Sequence, residues 1–243
     1  MGDEKCCAVV DLRQYTLHPG RRDDLIRVFD EAFVEGQEEH GMHIAGQFRD
    51  LDDPDRFVWL RGFTDLPTRA AALNGFYYGP VWKARGSEAN ETMLDSDNAL
   101  LLRPIELRDG YPDLNAARPP IGATEIASSV VAGAVYHRSS IDDGFSEYFA
   151  EQIAPALTGT GATIAATFET LVAENNFPAL PLRDEIVLAW FASFPSDTAY
   201  AEHRRQLDAS TAWQDKVLPE ITRRSIASPQ QLRLRPTARS QFH

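Results

Sequence analysis

The chain has 243 residues, of which 43% are hydrophobic, 25% charged and 10% aromatic, a soluble globular profile that excludes disorder, collagen and coiled-coil arrays. Its 24 basic and 36 acidic residues leave a net charge of −12, so nucleic acid and membrane surfaces are poor partners and a small molecule is the expected one. The length fits one large domain or two of about 120 residues.

Met1-Gly2-Asp3-Glu4-Lys5 places acids where a signal or transit peptide needs a basic lead, and no run approaches the length of a spanning helix. Position 6 is Cys where a myristoylation motif wants Ser or Thr. Cys6 and Cys7 are neighbours, and adjacent residues rarely reach disulfide geometry, so two free thiols and a reducing, cytoplasmic home are expected.

Ala8 to Leu17 alternates and ends at His18-Pro19-Gly20, which predicts a strand and a turn. Leu25, Val28, Phe29, Ala32 and Phe33 form one apolar helical stripe, and Gly41 suits a helix end. Ile44 to Asp50 and Phe57 to Phe63 read as strands joined by a turn-rich connection. Asp65 can cap a helix through Ala70, Ala71, Leu73 and Phe76. A polar helical stretch around Glu88 to Leu94 and a strand from Ala99 to Arg103 complete a β-α-β-β-α-β unit.

Pro104 to Ser128, rich in proline and glycine, reads as a linker, which divides the chain into a domain at 1–104, a connection at 105–129 and a second domain at 130–243. The second domain repeats the order with strands at Val130–His137, Thr163–Phe168, Glu185–Phe194 and Gln231–Arg235. Between them lie helices carrying Phe145, Tyr148, Phe149 and Ile153, then Thr198 to Leu207, then Trp213 to Ile221. Tyr15 and Tyr136 stand 121 positions apart, Pro67 and Pro195 128, and Pro104 and Pro236 132. The offset grows as loop insertions in the second copy would require, Glu174-Asn175-Asn176-Phe177-Pro178 being the first. The expected fold class is α+β, two tandem ferredoxin-like domains closing an intramolecular, pseudo-dimeric barrel with the helices outside.

Asp11-Leu12-Arg13-Gln14-Tyr15-Thr16-Leu17-His18-Pro19-Gly20, Gly46-Gln47-Phe48, Arg56 to Phe63 and Phe76-Tyr77-Tyr78-Gly79-Pro80-Val81-Trp82 resemble the NIPSNAP family of the dimeric α/β-barrel superfamily. The resemblance is strong over about 8–104 and holds in outline over 130–236. It implies ferredoxin-like domains and a barrel; the wider superfamily includes cofactor-free monooxygenases, polyketide cyclases, isomerases and haem enzymes, so chemistry must be argued from a site.

Strand alternation offers one. If Val10 and Leu12 pack under the helices, Asp11, Arg13 and Tyr15 point between the two sheets, joined there by His43, Gln47, Trp59 and Arg61. Copy two answers with Ala132, Ala134 and Tyr136, and with Ala189 for Arg61, which leaves one charged wall and room for one ligand. Asp11 can neutralise one arginine, leaving the other for a carboxylate, enolate or phenolate, while His43 and Tyr15 move protons. Asp11, His43 and Tyr15 are thus the catalytic expectation, with Arg13, Arg61, Trp59 and Gln47 holding the substrate. A site between sheet and helices would instead bring forward Tyr77, Tyr78 and Trp82. Asp11 with its arginines also reads as an ion-pair lattice that registers the sheets.

His40 and His43 lack a third metal ligand, the glycines form no phosphate-binding pattern, Ser, His and Asp form no nucleophile elbow, and Asp95-Ser96-Asp97-Asn98 reads as a turn. No metal or cofactor is therefore expected, His137 and His203 being the residues a haem reading would use. The leading functional expectation is a cofactor-independent monooxygenase, cyclase or isomerase; the rivals are a non-catalytic ligand-binding or interaction module and a haem-binding barrel. The fused pair could also form a homodimer. An enclosed polar cavity between the sheets would favour the enzyme, and a space filled by side chains the module.

Overall fold

A computed structural model describes residues 6–105 and 117–243; the readings of Met1–Lys5 and of the linker's middle lie outside them. The first half contains β1 (Val9–Leu17), α1 (Arg22–Val28), a π-helical turn (Phe29–Phe33), α2 (Val34–Glu38), β2 (His43–Asp50), β3 (Arg56–Phe63), α3 (Leu66–Tyr77), α4 (Pro80–Asn90), β4 (Met93–Asp95) and β5 (Ala99–Pro104). The second contains β6 (Val130–His137), α5 (Phe145–Tyr148), a π turn (Phe149–Ile153), α6 (Ala154–Thr158), β7 (Thr163–Thr170), β8 (Val187–Phe194), α7 (Asp197–Ala209), a π turn (Trp213–Val217), α8 (Leu218–Arg224) and β9 (Gln230–Pro236).

Asp65 and Ser196 cap α3 and α7 through their side chains, accepting from the Thr68 and Ala199 amides. Gly41 and Gly161, at φ +87° and +99°, close the equivalent first helices in the left-handed region that glycine adopts at low cost. The polar stretch after Tyr78 forms α4 earlier than its sequence suggested; the Thr92 amide and hydroxyl bond the Ala89 carbonyl and release the chain into β4.

Each half orders its strands as ferredoxin-like domains do, β5-β1-β3-β2 and β9-β6-β8-β7, and each edge strand finds the other half. β2 pairs with β9 (Phe48 opposite Pro236) and β5 with β7 (Leu102 opposite Thr170), all antiparallel, which closes an eight-stranded α/β barrel with β4 added at β1. Both halves share two irregularities, π turns at Phe29 and Phe149 and a β-bulge after Ile44 and after Ile164, while the π turn at Trp213 belongs to the second half alone.

The middle of the barrel interior is hydrocarbon, with the Gln14–Gln230 amide pair on the same face of β1 and β9. Val10, Leu12, Val58 and Leu60 meet Val131, Val135, Phe168 and Phe191 there, all buried. This reverses the expected facing of the strands: Asp11, Arg13, Tyr15, Trp59 and Arg61 lie under the helices, and Val10 and Leu12 point between the sheets. An eight-stranded barrel leaves an interior just wide enough for side chains to fill, so branched aliphatic and ring residues take it, while the polar series lies where α3 brings an arginine of its own. Among the described residues, apolar side chains pack the middle of the space between the sheets.

Two further expectations are corrected. Cys6 and Cys7 are joined as a disulfide; Cys7 adopts φ +84°, a turn that brings the neighbouring side chains together. Strand register makes Ala192, opposite Ala132, the counterpart of Arg61, which lies opposite Asp11, whereas Ala189 points into the barrel. No helix among the described residues is long and apolar enough to cross a membrane.

Candidate functional site

The site is built in the first half, between its sheet and its helices. β1 presents Asp11, Arg13 and Tyr15 on alternate positions, and β3 places Arg61 directly opposite Asp11 and Trp59 opposite Arg13. α3 supplies Arg69 one turn before Ala72 and Leu73, on its buried stripe, and α2 supplies Gln37 one turn after Phe33.

Asp11, Arg13, Arg61 and Arg69 are each 0% exposed. Asp11 Oδ2 accepts from Arg61 Nε at 3.0 Å and Nη2 at 2.9 Å, and Oδ1 accepts from Arg69 Nε at 3.0 Å. Burial alone would raise the Asp11 carboxyl, yet Arg61, Arg69 and Arg13 together hold it below its ordinary value, so it stays ionised. Arg61 Nη1 donates onward to Gln37 Oε1 at 3.1 Å and Tyr77 Oη at 3.4 Å. Its guanidinium carbon stands 5.0 Å from the centre of the Trp59 ring.

Among the described residues, Arg13 makes no ion pair with a carboxylate of its own. Its Nε donates to Tyr15 Oη at 2.9 Å and its Nη2 to the Ser96 carbonyl at 3.1 Å, and Nη1, fully buried, has no hydrogen-bond partner among the described residues. Three arginines against one aspartate leave this interior with surplus positive charge, a surplus that a bound anion would offset.

A cleft of about 340 Å³ opens beside this cluster, its walls including Tyr15, Tyr77, Tyr78, Trp82, Asp97 and Phe177. Tyr15 and Tyr77 each accept a hydrogen bond from an arginine, which leaves each phenol proton available to donate into the cleft. Burial raises the Tyr15 hydroxyl above its ordinary value against the pull of Arg13, so it serves as a donor. The Asp95–Asn98 segment is the expected turn: Asp95 Oδ1 accepts from the Asp97 amide at 2.7 Å, and Gln14 N donates to Asn98 O at 2.9 Å. Among the described residues, Asp97 is the one carboxylate lining the cleft.

The residues singled out from sequence separate into three groups. Tyr15, Tyr77, Tyr78 and Trp82 line the cleft. Asp11, Arg13, Arg61 and Trp59 lie behind its wall, Trp59 packed at 4.8 Å from the Phe29 ring. His43 and Gln47 stand apart. His43 pairs with Gly62, one strand position from Arg61 and hence on the opposite face, and Gln47 accepts from Thr237 Oγ1 at 3.1 Å. Burial, aided by Arg118, pushes the His43 imidazole down to about 4, so it is neutral at pH 7. Asp11 neutralises two arginines where one was expected, the second being Arg69.

Arg69, Gln37 and Asn176 escaped the sequence reading. Arg69 and Gln37 continue helical apolar stripes, at 69-72-73-76 and 29-33-37, and an ionic or amide group on such a stripe is the signal that marks a buried polar network. Asn176 lies in the second half, and nothing local assigns it to the first.

Residues 10–107 match the NIPSNAP family model. The whole chain also superposes on solved structures: an anthrone oxidase-like protein (TM-score 0.58, 13% identity, 97% of this chain and 92% of that one), a candidate monooxygenase of Fusobacterium nucleatum (0.55, 11%, 96% and 93%) and another of Lactobacillus acidophilus (0.54, 12%, 96% and 96%). At such identities these likenesses show the fold. No curated protein matches the chain in sequence.

Proposed function

We propose, from the premise that residues 10–107 form a NIPSNAP domain within a dimeric α/β-barrel fold, that the chain is a cofactor-independent small-molecule enzyme whose active site is the Tyr15–Tyr77 cleft. One observation carries this reading: two tyrosine hydroxyls, each backed by a buried arginine, line the same cleft. Such paired donors suit an oxygen that becomes negative during reaction.

The first step is removal of a proton from carbon next to a substrate carbonyl. The C–H electron pair becomes the enolate double bond, the charge moves to the carbonyl oxygen between the Tyr15 and Tyr77 hydroxyls, and the proton passes to Asp97. Oxygenation, cyclisation and isomerisation can each continue from that enolate, so the monooxygenase-like fold of the neighbours is compatible with any of them. Tyr78 and Trp82 hold an aromatic or apolar substrate body, and Arg13 and Arg61 polarise the two phenols. Among the described residues no histidine lines the cleft, and His203 is held by Thr160 at 2.8 Å in the other half, which speaks against a haem there.

The test is exchange of the α-protons of 1-tetralone in deuterated water, followed by proton NMR. The wild type should accelerate exchange, and Tyr15→Phe and Tyr77→Phe should each slow it by about 100-fold. Wild-type exchange at the buffer rate, or undiminished rates in both variants, would end the enzyme reading. The filled barrel interior favours the second reading, a non-catalytic binding module; on that reading ligands bind the cleft with no exchange.

A further inference from the structure

The connection between β2 and β3 occupies positions 51–55, whereas its counterpart between β7 and β8 runs from 171 to 186. That longer connection leaves its own half. The Leu171 and Arg183 amides donate to the Leu101 and Ala99 carbonyls of β5 at 3.0 and 2.8 Å, and Leu171, Leu180 and Leu182 pack against the first half's core. Asn176 latches it: Oδ1 accepts from Arg69 Nη1 at 2.7 Å, and Nδ2 donates to the Leu66 carbonyl at 2.6 Å. Phe177, 4% exposed, is thereby set against Tyr77 and Tyr78, its ring centre 5.8 and 6.1 Å from theirs, and lines the cleft.

We infer that this strap makes Phe177 a specificity-determining residue for the first half's cleft, selecting flat aromatic anions over saturated anions of the same outline. The inference rests on the cleft being the ligand site. Aromatic bodies are favoured because Phe177, Tyr77, Tyr78 and Trp82 present ring faces and edges to whatever enters, and such pairings reward a π-system beyond its buried area. The anionic group follows from Arg13, Arg61 and Arg69 behind the wall, which outnumber Asp11 and the cleft's Asp97 by one charge and reach the cleft through the Tyr15 and Tyr77 hydroxyls. Asn176 acts as a positioning residue, since the chain Asn176–Arg69–Asp11–Arg61–Tyr77 links strap and cleft through continuous hydrogen bonds.

Calorimetric titration of the full chain with naphthalene-2-carboxylate and with decahydronaphthalene-2-carboxylate tests this. The wild type should prefer the aromatic acid. Phe177→Leu, which keeps apolar bulk at the latch, should cut that preference by about tenfold, and Phe177→Tyr should restore it. A wild type without preference, or a Leu variant that weakens both acids alike, overturns the inference while leaving the cleft as a binding site. Binding of neither acid to the wild type removes the cleft assignment and this inference with it.

Discussion

The two halves share strand order, bulges and the π turn of the first helix, yet one gathers ions around Asp11 beneath its helices, whereas the other places small and aromatic side chains at the same positions and keeps its own buried arginine, Arg138, at the end of β6, paired with Asp143. Where the first half holds Asp11, Arg13, Arg61 and Arg69, the second holds Ala132, Ala134, Ala192 and Tyr200. Trp59 answers Trp190, and Tyr15 answers Tyr136; in the second half these two satisfy each other, Trp190 Nε1 donating to Tyr136 Oη at 3.2 Å. The same strand frame therefore forms without ions at those four positions. Their retention on one side points to use rather than to structural need, since an apolar replacement of a buried ion group is often neutral or stabilising.

The comparison breaks most sharply at Asp11. Asp11→Ala strands Arg61 and Arg69 in the interior and should cost about 3–5 kcal/mol in urea unfolding, whereas Asp11→Ala combined with Arg61→Ala and Arg69→Tyr, copying the second half, should recover most of that loss. A triple variant as unstable as the single one would refute the equivalence of the two cores.

A smaller effect is expected at His43, whose counterpart Thr163 does not titrate. With a folded pKa of about 4 against 6.5, the unfolded chain takes up the proton first as pH falls. Stability from this residue is complete above pH 6.5 and drains away toward pH 4, by about 3 kcal/mol. Unfolding curves at pH 7 and 4 should converge in His43→Gln relative to wild type; an unchanged gap would discount the residue.

The smallest contrast is between equivalent tyrosines. Tyr15→Phe deprives a charged donor, Arg13 Nε, and should cost about 2 kcal/mol, while Tyr136→Phe deprives a neutral indole and should cost about 1 kcal/mol. Equal losses by thermal unfolding would mean that Arg13 gains nothing from the phenol.

Much of the architecture was readable before any coordinates. The widening offset from Tyr15/Tyr136 to Pro104/Pro236 exposed the duplication, and the 121- and 132-position spacings hold in the strand registers. The facing failed for a physical reason: both faces of these strands are buried, one by helices and one by the opposing sheet, so a period of two separates Asp11 from Val10 without saying which lies where. The offset also located the insertion containing Asn176 and Phe177, but an insertion's destination is a long-range property, and only the fold carries it across to Arg69. Tyr77, Tyr78 and Trp82 were legible as an aromatic group at a helix end, while Arg69 was hidden by its charge on a stripe read for apolar residues alone.

Closing both seams, β2 to β9 and β5 to β7, inside one polypeptide has a consequence for ancestry as well as for folding. A barrel assembled from identical subunits must accept every substitution twice, once in each copy, and falls apart on dilution. Joined end to end, the copies are released from that enforced symmetry: one could simplify to alanine and lend a loop to its sibling while the other kept its charges.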